Sequence, residues 1–156
     1  MRYPTLLTLL GSALLVSGCE KYALDRQMEE LCKKDGGLTV YEFVTLPSSR
    51  FDARGELKRL NRMGADLNES ATRYGPEYRL ETNTTILKSG DPVAGEGRLT
   101  RYEYRLFRVA DKKLLGVSVS YWRSGGDFIA YAHHSSKNCP AATREASIEA
   151  VFVKGE

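Results

Sequence analysis

The sequence predicts an α+β fold in which an N-terminal helix packs on a four- to five-stranded antiparallel sheet, with one possible second helix and one disulfide. Two observations predict this class: one stretch has apolar residues at helical spacing, and strand-like segments joined by short turns follow it. The 156 residues are 42% hydrophobic and 28% charged, which fits a globular protein and excludes a disordered or collagen-like chain.

The first element is a short apolar segment behind a positive start. Met1-Arg2 precedes the apolar run Leu6 to Val16, which is 11 residues long. At about 1.5 Å per residue such a helix cannot cross a hydrocarbon layer of about 30 Å. Its length and flanks are typical of a secretory signal instead.

The apolar run ends in Leu15-Val16-Ser17-Gly18-Cys19. This order resembles the lipobox of bacterial lipoproteins. The resemblance implies that residues 1–18 are a removed signal peptide and that Cys19 carries acyl chains. Residues 19–156 would then form a single periplasmic α+β domain. Glu20 in place of Asp implies the outer membrane, by similarity to enterobacterial sorting. An ordinary cleaved signal with a chance cysteine is the alternative.

Three cysteines occur in the chain, and a lipid on Cys19 would leave Cys32 and Cys139 as a pair. Because the periplasm is oxidising, we expect a disulfide between these two residues. A reactive thiol, or a metal site formed by a thiol with His133 and His134, is the rival interpretation. No C-x-x-C motif supports it.

The spacing predicts a helix over Tyr22–Lys34. Its apolar face consists of Leu24, Met28, Leu31 and Cys32. Gly36-Gly37 offers a left-handed stop after the basic end Lys33-Lys34. Only Glu20 and Lys21 separate this helix from Cys19. The sequence therefore predicts a domain held close to the membrane surface.

The next two segments differ in how clearly they are patterned. Leu38 to Leu46 predicts one strand with both faces covered, because Tyr41 and Phe43 alternate with aliphatic residues. Phe51 to Leu67 has helical apolar spacing and a possible cap at Asp52, although its glycines weaken a helix. This segment is the possible second helix.

The remaining elements follow from alternation and turn residues. Leu99–Val109 and Leu114–Arg123 predict a hairpin, in which Leu115, Val117, Val119 and Tyr121 share one face. The other predictions are a strand at Tyr78–Leu87, a loop at Gly90–Gly97, a turn at Ser124–Asp127, a strand at Phe128–Ala132, an irregular stretch from Asn138 to Pro140, and a final strand or helix end at Ile148–Val153.

The mature chain also resembles small proteobacterial envelope lipoproteins of unassigned function. The resemblance is carried by Leu31 to Gly37, Val40-Tyr41-Glu42, Leu46-Pro47, Gly75 to Tyr78 and Ser124 to Phe128. It implies a cell-envelope context and no activity, cofactor or catalytic residue.

The chemistry-bearing residues predict no catalytic or metal site and no cofactor. The chain has two histidines and no G-x-S-x-G motif. His133 and His134 are adjacent, so on a strand they would face opposite sides and could not ligate one metal together. Several carboxylate pairs could serve a wall-acting enzyme, and none stands out. A net charge of +3 gives no indication of nucleic-acid binding.

A cluster on the predicted hairpin has the residue types that dominate protein interfaces. It consists of Arg101, Tyr102, Tyr104, Arg105, Tyr121, Trp122 and Arg123. About half of these must serve the core. The basic segment Arg50–Arg62 could instead touch anionic headgroups.

The predicted function is a non-catalytic protein-binding lipoprotein attached to the membrane by its acyl chains. Its partner would be an envelope protein or a toxic effector, and in the second case the chain would act as an immunity lipoprotein. The alternative is a structural or assembly accessory of the outer membrane or cell wall. A lipid- or wall-acting enzyme is the third hypothesis.

Overall fold

The structure is a computed structural model that describes residues 4–58, 73–127, 133–141, 143 and 146–156, with side chains from residue 20 onward. The predicted strand Phe128–Ala132 lies outside the described residues, as does most of the possible helix Phe51–Leu67.

The architecture is α+β, as predicted, with one long α-helix and a mostly antiparallel sheet. Helix α1 spans Pro4–Asp35. The strands are β1 (Gly37–Val40), β2 (Val44–Leu46), β3 (Tyr78–Lys88), β4 (Arg98–Arg108), β5 (Leu114–Ser124), β6 (Ser136–Cys139) and β7 (Phe152–Lys154). The larger sheet has the order β1-β5-β4-β3, and β6 also pairs with β5. Strands β2 and β7 form a separate parallel pair.

The chain divides into two compact units. The first unit consists of Met1–Gly36, Thr84–Tyr102 and Ser120–Pro140. The second unit consists of Gly37–Asn83, Glu103–Val119 and Ala141–Glu156. The apolar core of the second unit is built from Leu46, Phe51, Tyr74, Leu106, Leu115, Ile148, Val151 and Phe152.

The predicted apolar face of helix α1 is confirmed within the first unit. Leu24, Met28 and Cys32 are 4%, 0% and 8% exposed. Leu31 is partly exposed, so it belongs to the edge of this face. The helix ends at Asp35, one residue beyond the prediction, because Gly36 and Gly37 follow and Gly37 has a φ of 116°.

The hairpin of β4 and β5 matches the predicted bounds to within one residue at each end. Both faces of the β5 segment in the second unit are covered. A side chain at position 116 would not fit, because its Cβ would lie 2.7 Å from Val151 Cγ2. The Ser118 hydroxyl donates to the Ala146 carbonyl at 2.9 Å. Small residues are therefore needed where the C-terminal segment covers the sheet.

The single strand predicted at Leu38–Leu46 is wrong. The backbone N–H groups of Tyr41 and Glu42 both donate to the Leu115 carbonyl, at 2.8 and 3.1 Å. Two residues thus oppose one acceptor, which interrupts the ladder and separates β1 from β2. Tyr41 and Phe43 are 60% and 62% exposed, so the predicted coverage of both faces is wrong as well.

Two further predictions are corrected by local hydrogen bonding. The Asp52 carboxylate accepts from the N–H groups of Arg54 and Glu56, which closes a turn where the prediction had a helix start. Cys139, predicted in an irregular stretch, ends β6 and pairs with Tyr121. The C-terminal segment combines both predicted alternatives, since a 3-10 turn at Ile148–Val151 leads directly into β7.

Candidate functional site

The predicted disulfide is present in the first unit. Cys32 of α1 and Cys139 of β6 have an S–S distance of 2.08 Å and a Cα–Cα distance of 5.9 Å. Because both thiols are consumed, a reactive thiol or a thiol–His metal site is wrong for this pair. His133 and His134 are exposed. Within the described part of the chain, no three His, Cys, Asp or Glu side chains are grouped to hold a metal.

Arg123 belongs to the interior of the first unit rather than to its surface. Its side chain is 2% exposed, and its Nε donates to Asp25 Oδ1 of α1 at 2.8 Å. One terminal nitrogen also donates to the carbonyls of Gly125 and Ser135, at 3.1 and 2.9 Å. The strand alternation that places Tyr121 toward the helix places Arg123 there too, so the sequence contained this signal.

Tyr121 and Arg101 also face helix α1, where they share one carboxylate. The Tyr121 hydroxyl donates to Asp35 Oδ1 at 2.5 Å, and Arg101 donates to Asp35 Oδ2 at 3.0 Å. Burial alone would raise the pKa of the Asp35 carboxyl, but the hydrogen bonds from Tyr121 and Arg101 lower it overall. Tyr121 is 2% exposed. Tyr121 and Arg123 are therefore not part of an exposed interface. Both residues instead attach helix α1 to the sheet.

Tyr102 and Trp122 lie on the sheet face opposite helix α1, since their strand neighbours Arg101, Tyr121 and Arg123 face the helix. Their ring centroids are 6.3 Å apart with an interplanar angle of 45°. Trp122 is 45% exposed. This pair, here named the Trp122 face, is the exposed part of the predicted cluster in the first unit.

Tyr104 and Arg105 belong to the second unit. Tyr104 is partly buried against the apolar core of that unit. Arg105 is exposed and pairs with the Glu103 carboxylate beside it in the strand. The predicted cluster of seven residues is thus divided between the two units, and these two do not join the Trp122 face.

The residues after Cys19 make contacts with the sheet that the sequence did not predict. The Lys21 ammonium lies 2.7 Å from Asp127 Oδ1. The Glu20 carboxylate pairs with Lys88 and accepts from the Gly97 N–H at 3.2 Å. The hydrogen bond from Lys88 lowers the pKa of Glu20 below its ordinary value. We name this set of contacts the anchor junction. Its one sequence signal is the short spacing between Cys19 and the predicted helix.

Two consecutive glycines let the sheet approach the anchor junction. Gly125 and Gly126 have φ values of 74° and 78°, the left-handed region that side chains disfavour. A Cβ on Gly126 would lie 3.2 Å from the Lys21 backbone, and one on Gly125 would lie 2.8 Å from Pro92 Cα. The loop that carries Pro92 therefore lies beside Lys21.

Asp127 makes the stability of the first unit depend on pH. Burial alone would raise its pKa, but hydrogen bonds from Lys21 and Ser135 lower it to about 2. The ionised Asp127 carboxylate therefore contributes about 2 kcal/mol to the free energy of unfolding. This contribution is complete above pH 4, near the ordinary pKa of aspartate, and it is lost as the pH falls through 2. We expect Asp127→Asn to lower the urea midpoint at pH 6, with the difference from the wild type closing toward pH 2. Parallel profiles of midpoint against pH would contradict this.

Comparisons of the chain with protein-family models, with curated proteins and with solved structures found no match. Among the described helices, none combines the length and apolar character that a membrane span requires.

Proposed function

We propose that the chain is a lipoprotein of the cell envelope, attached through acyl chains on Cys19, that binds a protein partner and catalyses no reaction. Two features of the described residues support this proposal. One is the Trp122 face, and the other is the anchor junction. The first supports binding, and the second supports attachment without a tether.

The single observation that carries the binding role is the exposure of Trp122 on a fixed platform. Tryptophan and tyrosine supply large contact areas with few rotatable bonds, and they dominate interface energies. Behind this face, β5 is held to helix α1 by buried Arg123. The disulfide holds β6, which pairs with β5, to the same helix. A platform fixed in this way loses little conformational entropy on binding.

The attachment role rests on the position of Cys19 in the chain. Cys19 directly precedes Glu20 and Lys21 of the anchor junction, and all three belong to one continuous helix, Pro4–Asp35. Glu20 and Lys21, which follow Cys19, are both paired with residues of the first unit. No flexible linker therefore separates Cys19 from this unit. Triacylation gives an attachment far more stable than one acyl chain does. The protein would therefore meet partners at the membrane surface.

The binding role is tested by photocrosslinking in the native envelope. Asn138 is exposed and lies opposite Trp122 across the β5–β6 ladder, so a photocrosslinking residue at position 138 samples the Trp122 face and leaves Trp122 intact. We expect one protein to be captured in stoichiometric amount. Trp122→Ala in the same chain should reduce that adduct at least about tenfold, the effect of losing an interface hot spot.

Tyr41→Ala is the matched control, because Tyr41 is also an exposed aromatic residue and belongs to the second unit. The adduct should persist in this variant. Loss of the adduct in Tyr41→Ala but not in Trp122→Ala would contradict the proposed face. The identity of the captured protein separates an effector, expected for an immunity lipoprotein, from a component of an envelope assembly.

A further inference from the structure

Four exposed large apolar side chains lie close in the chain to residues of the anchor junction. Tyr22 and Val93 are 74% and 77% exposed, the highest values among the large apolar side chains of the described residues. Ile86 and Leu87 are 59% and 41% exposed, and they immediately precede Lys88 of the junction. All four belong to the first unit. Clusters of exposed apolar residues mark interaction sites more often than single ones do.

The order of contacts along helix α1 places these residues at the Cys19 end of the first unit. Glu20 and Lys21 contact Lys88 and Asp127, whereas Asp35 contacts Tyr121 and Arg101 at the C-terminal end of the helix. Glu20 and Asp35 are separated along this helix by about 22 Å at 1.5 Å per residue. The turn between β3 and β4 therefore lies with the Cys19 end of the helix.

Val93 occupies the tip of this turn. Asp91 caps the short 3-10 helix Pro92–Ala94 by accepting from the Val93 N–H at 2.9 Å. Gly95 ends it in a left-handed conformation, and its N–H donates to the Pro92 carbonyl at 3.2 Å. The turn is thus closed by its own hydrogen bonds, and the apolar side chain of Val93 is left to project outward.

The two carboxylates of the anchor junction are each paired with a lysine. Lys21 neutralises Asp127, and Lys88 neutralises Glu20. These pairs reduce the repulsion between the two carboxylates and anionic headgroups. The turn itself carries exposed carboxylates at Asp91 and Glu96, which accept hydrogen bonds from the backbone N–H groups of Val93 and Asp91. Exposed apolar side chains beside charged groups match the headgroup layer of a bilayer, where charged groups stay hydrated and apolar side chains insert.

We propose that this end of the first unit rests on the phospholipid surface, with Val93 inserted at the boundary between headgroups and acyl chains. Tyr22, Ile86 and Leu87 border the contact. The inference rests on the proposed attachment through Cys19, and it adds a fixed orientation to that attachment. The Trp122 face, on the other side of the sheet from helix α1, then remains available to a protein partner.

The experiment measures the depth of a label at position 93. The full-length protein, processed and lipidated in cells, is reconstituted into vesicles of phosphatidylethanolamine and phosphatidylglycerol. Val93→Cys is labelled with an environment-sensitive thiol probe, since the disulfide and the acyl chains occupy the native cysteines. Lys34→Cys is the matched control, because Lys34 is an exposed residue of the first unit near the Asp35 end of helix α1.

We expect a lipid-borne quencher placed at the headgroup boundary to quench the label at position 93 at least about threefold more than the label at position 34. Iodide in solution should show the opposite preference. Protein that floats with the vesicles but shows equal quenching at both positions would overturn the orientation alone. Protein that does not float would overturn the attachment, and the orientation with it.

Discussion

Replacing either Cys32 or Cys139 by serine will lower the free energy of unfolding by up to about 4–5 kcal/mol, the largest effect expected from a single substitution in this chain. The bond closes a loop with a sequence separation of 107 residues, so its loss releases the unfolded chain from a long-range constraint. It also removes the covalent attachment of β6 to helix α1. Urea unfolding of the purified protein measures this loss.

The two serine variants share one bond, so their effects cannot add. Cys32→Ser, Cys139→Ser and the double variant should have equal unfolding free energies, and reductant should bring the wild type to the same value. Reductant should leave all three variants unchanged, which makes them their own control. Clearly additive losses in the double variant would contradict a bond between these two residues.

Replacing Arg123 by methionine will cost about 3–5 kcal/mol, because the change leaves the Asp25 carboxylate without its buried partner. The carbonyls of Gly125 and Ser135 also lose a donor. The side chain of Asp25 is 16% exposed, so water compensates only part of the loss. The midpoint of urea unfolding, measured with the disulfide intact, gives the size of the effect.

Arg26→Met supplies the matched control on the same helix. Arg26 pairs with Glu30, and their side chains are 82% and 71% exposed. Removing such a pair changes stability by less than about 0.5 kcal/mol. Asp25→Asn combined with Arg123→Met should recover part of the loss, since no charge is then left unpaired. Equal effects of Arg123→Met and Arg26→Met would show that the buried pair contributes nothing beyond a surface pair.

Hydrophobic periodicity predicted the elements that bury one face, such as helix α1. Leu24 and Met28 recur at helical spacing because the helix buries a single stripe, and this stripe is buried in the structure. The hairpin was predicted because the turn at Ala110–Lys113 separates two strand-like segments and the second arm alternates. The disulfide followed from counting cysteines, since only Cys32 and Cys139 remained to pair.

The wrong predictions concern segments whose structure depends on contacts with residues distant in the chain. Nothing within Leu38–Leu46 shows that Tyr41 and Glu42 will share the Leu115 carbonyl, because that acceptor is more than 70 residues away in the chain. The interface prediction selected arginine and tyrosine by residue type. Alternation already placed Arg123 on the helix side, but burying an arginine requires Asp25, which strand periodicity does not reveal.

Both proposals depend on attachment through Cys19, which intact-mass spectrometry of the protein extracted from its own envelope can test. We expect a chain that begins at Cys19, lacks residues 1–18 and carries a diacylglycerol group with a third acyl chain on the new N-terminus. Cys19→Ala should abolish both the cleavage and the added mass. A chain cleaved at another position, or one that begins at Cys19 with an unmodified thiol, would contradict the attachment.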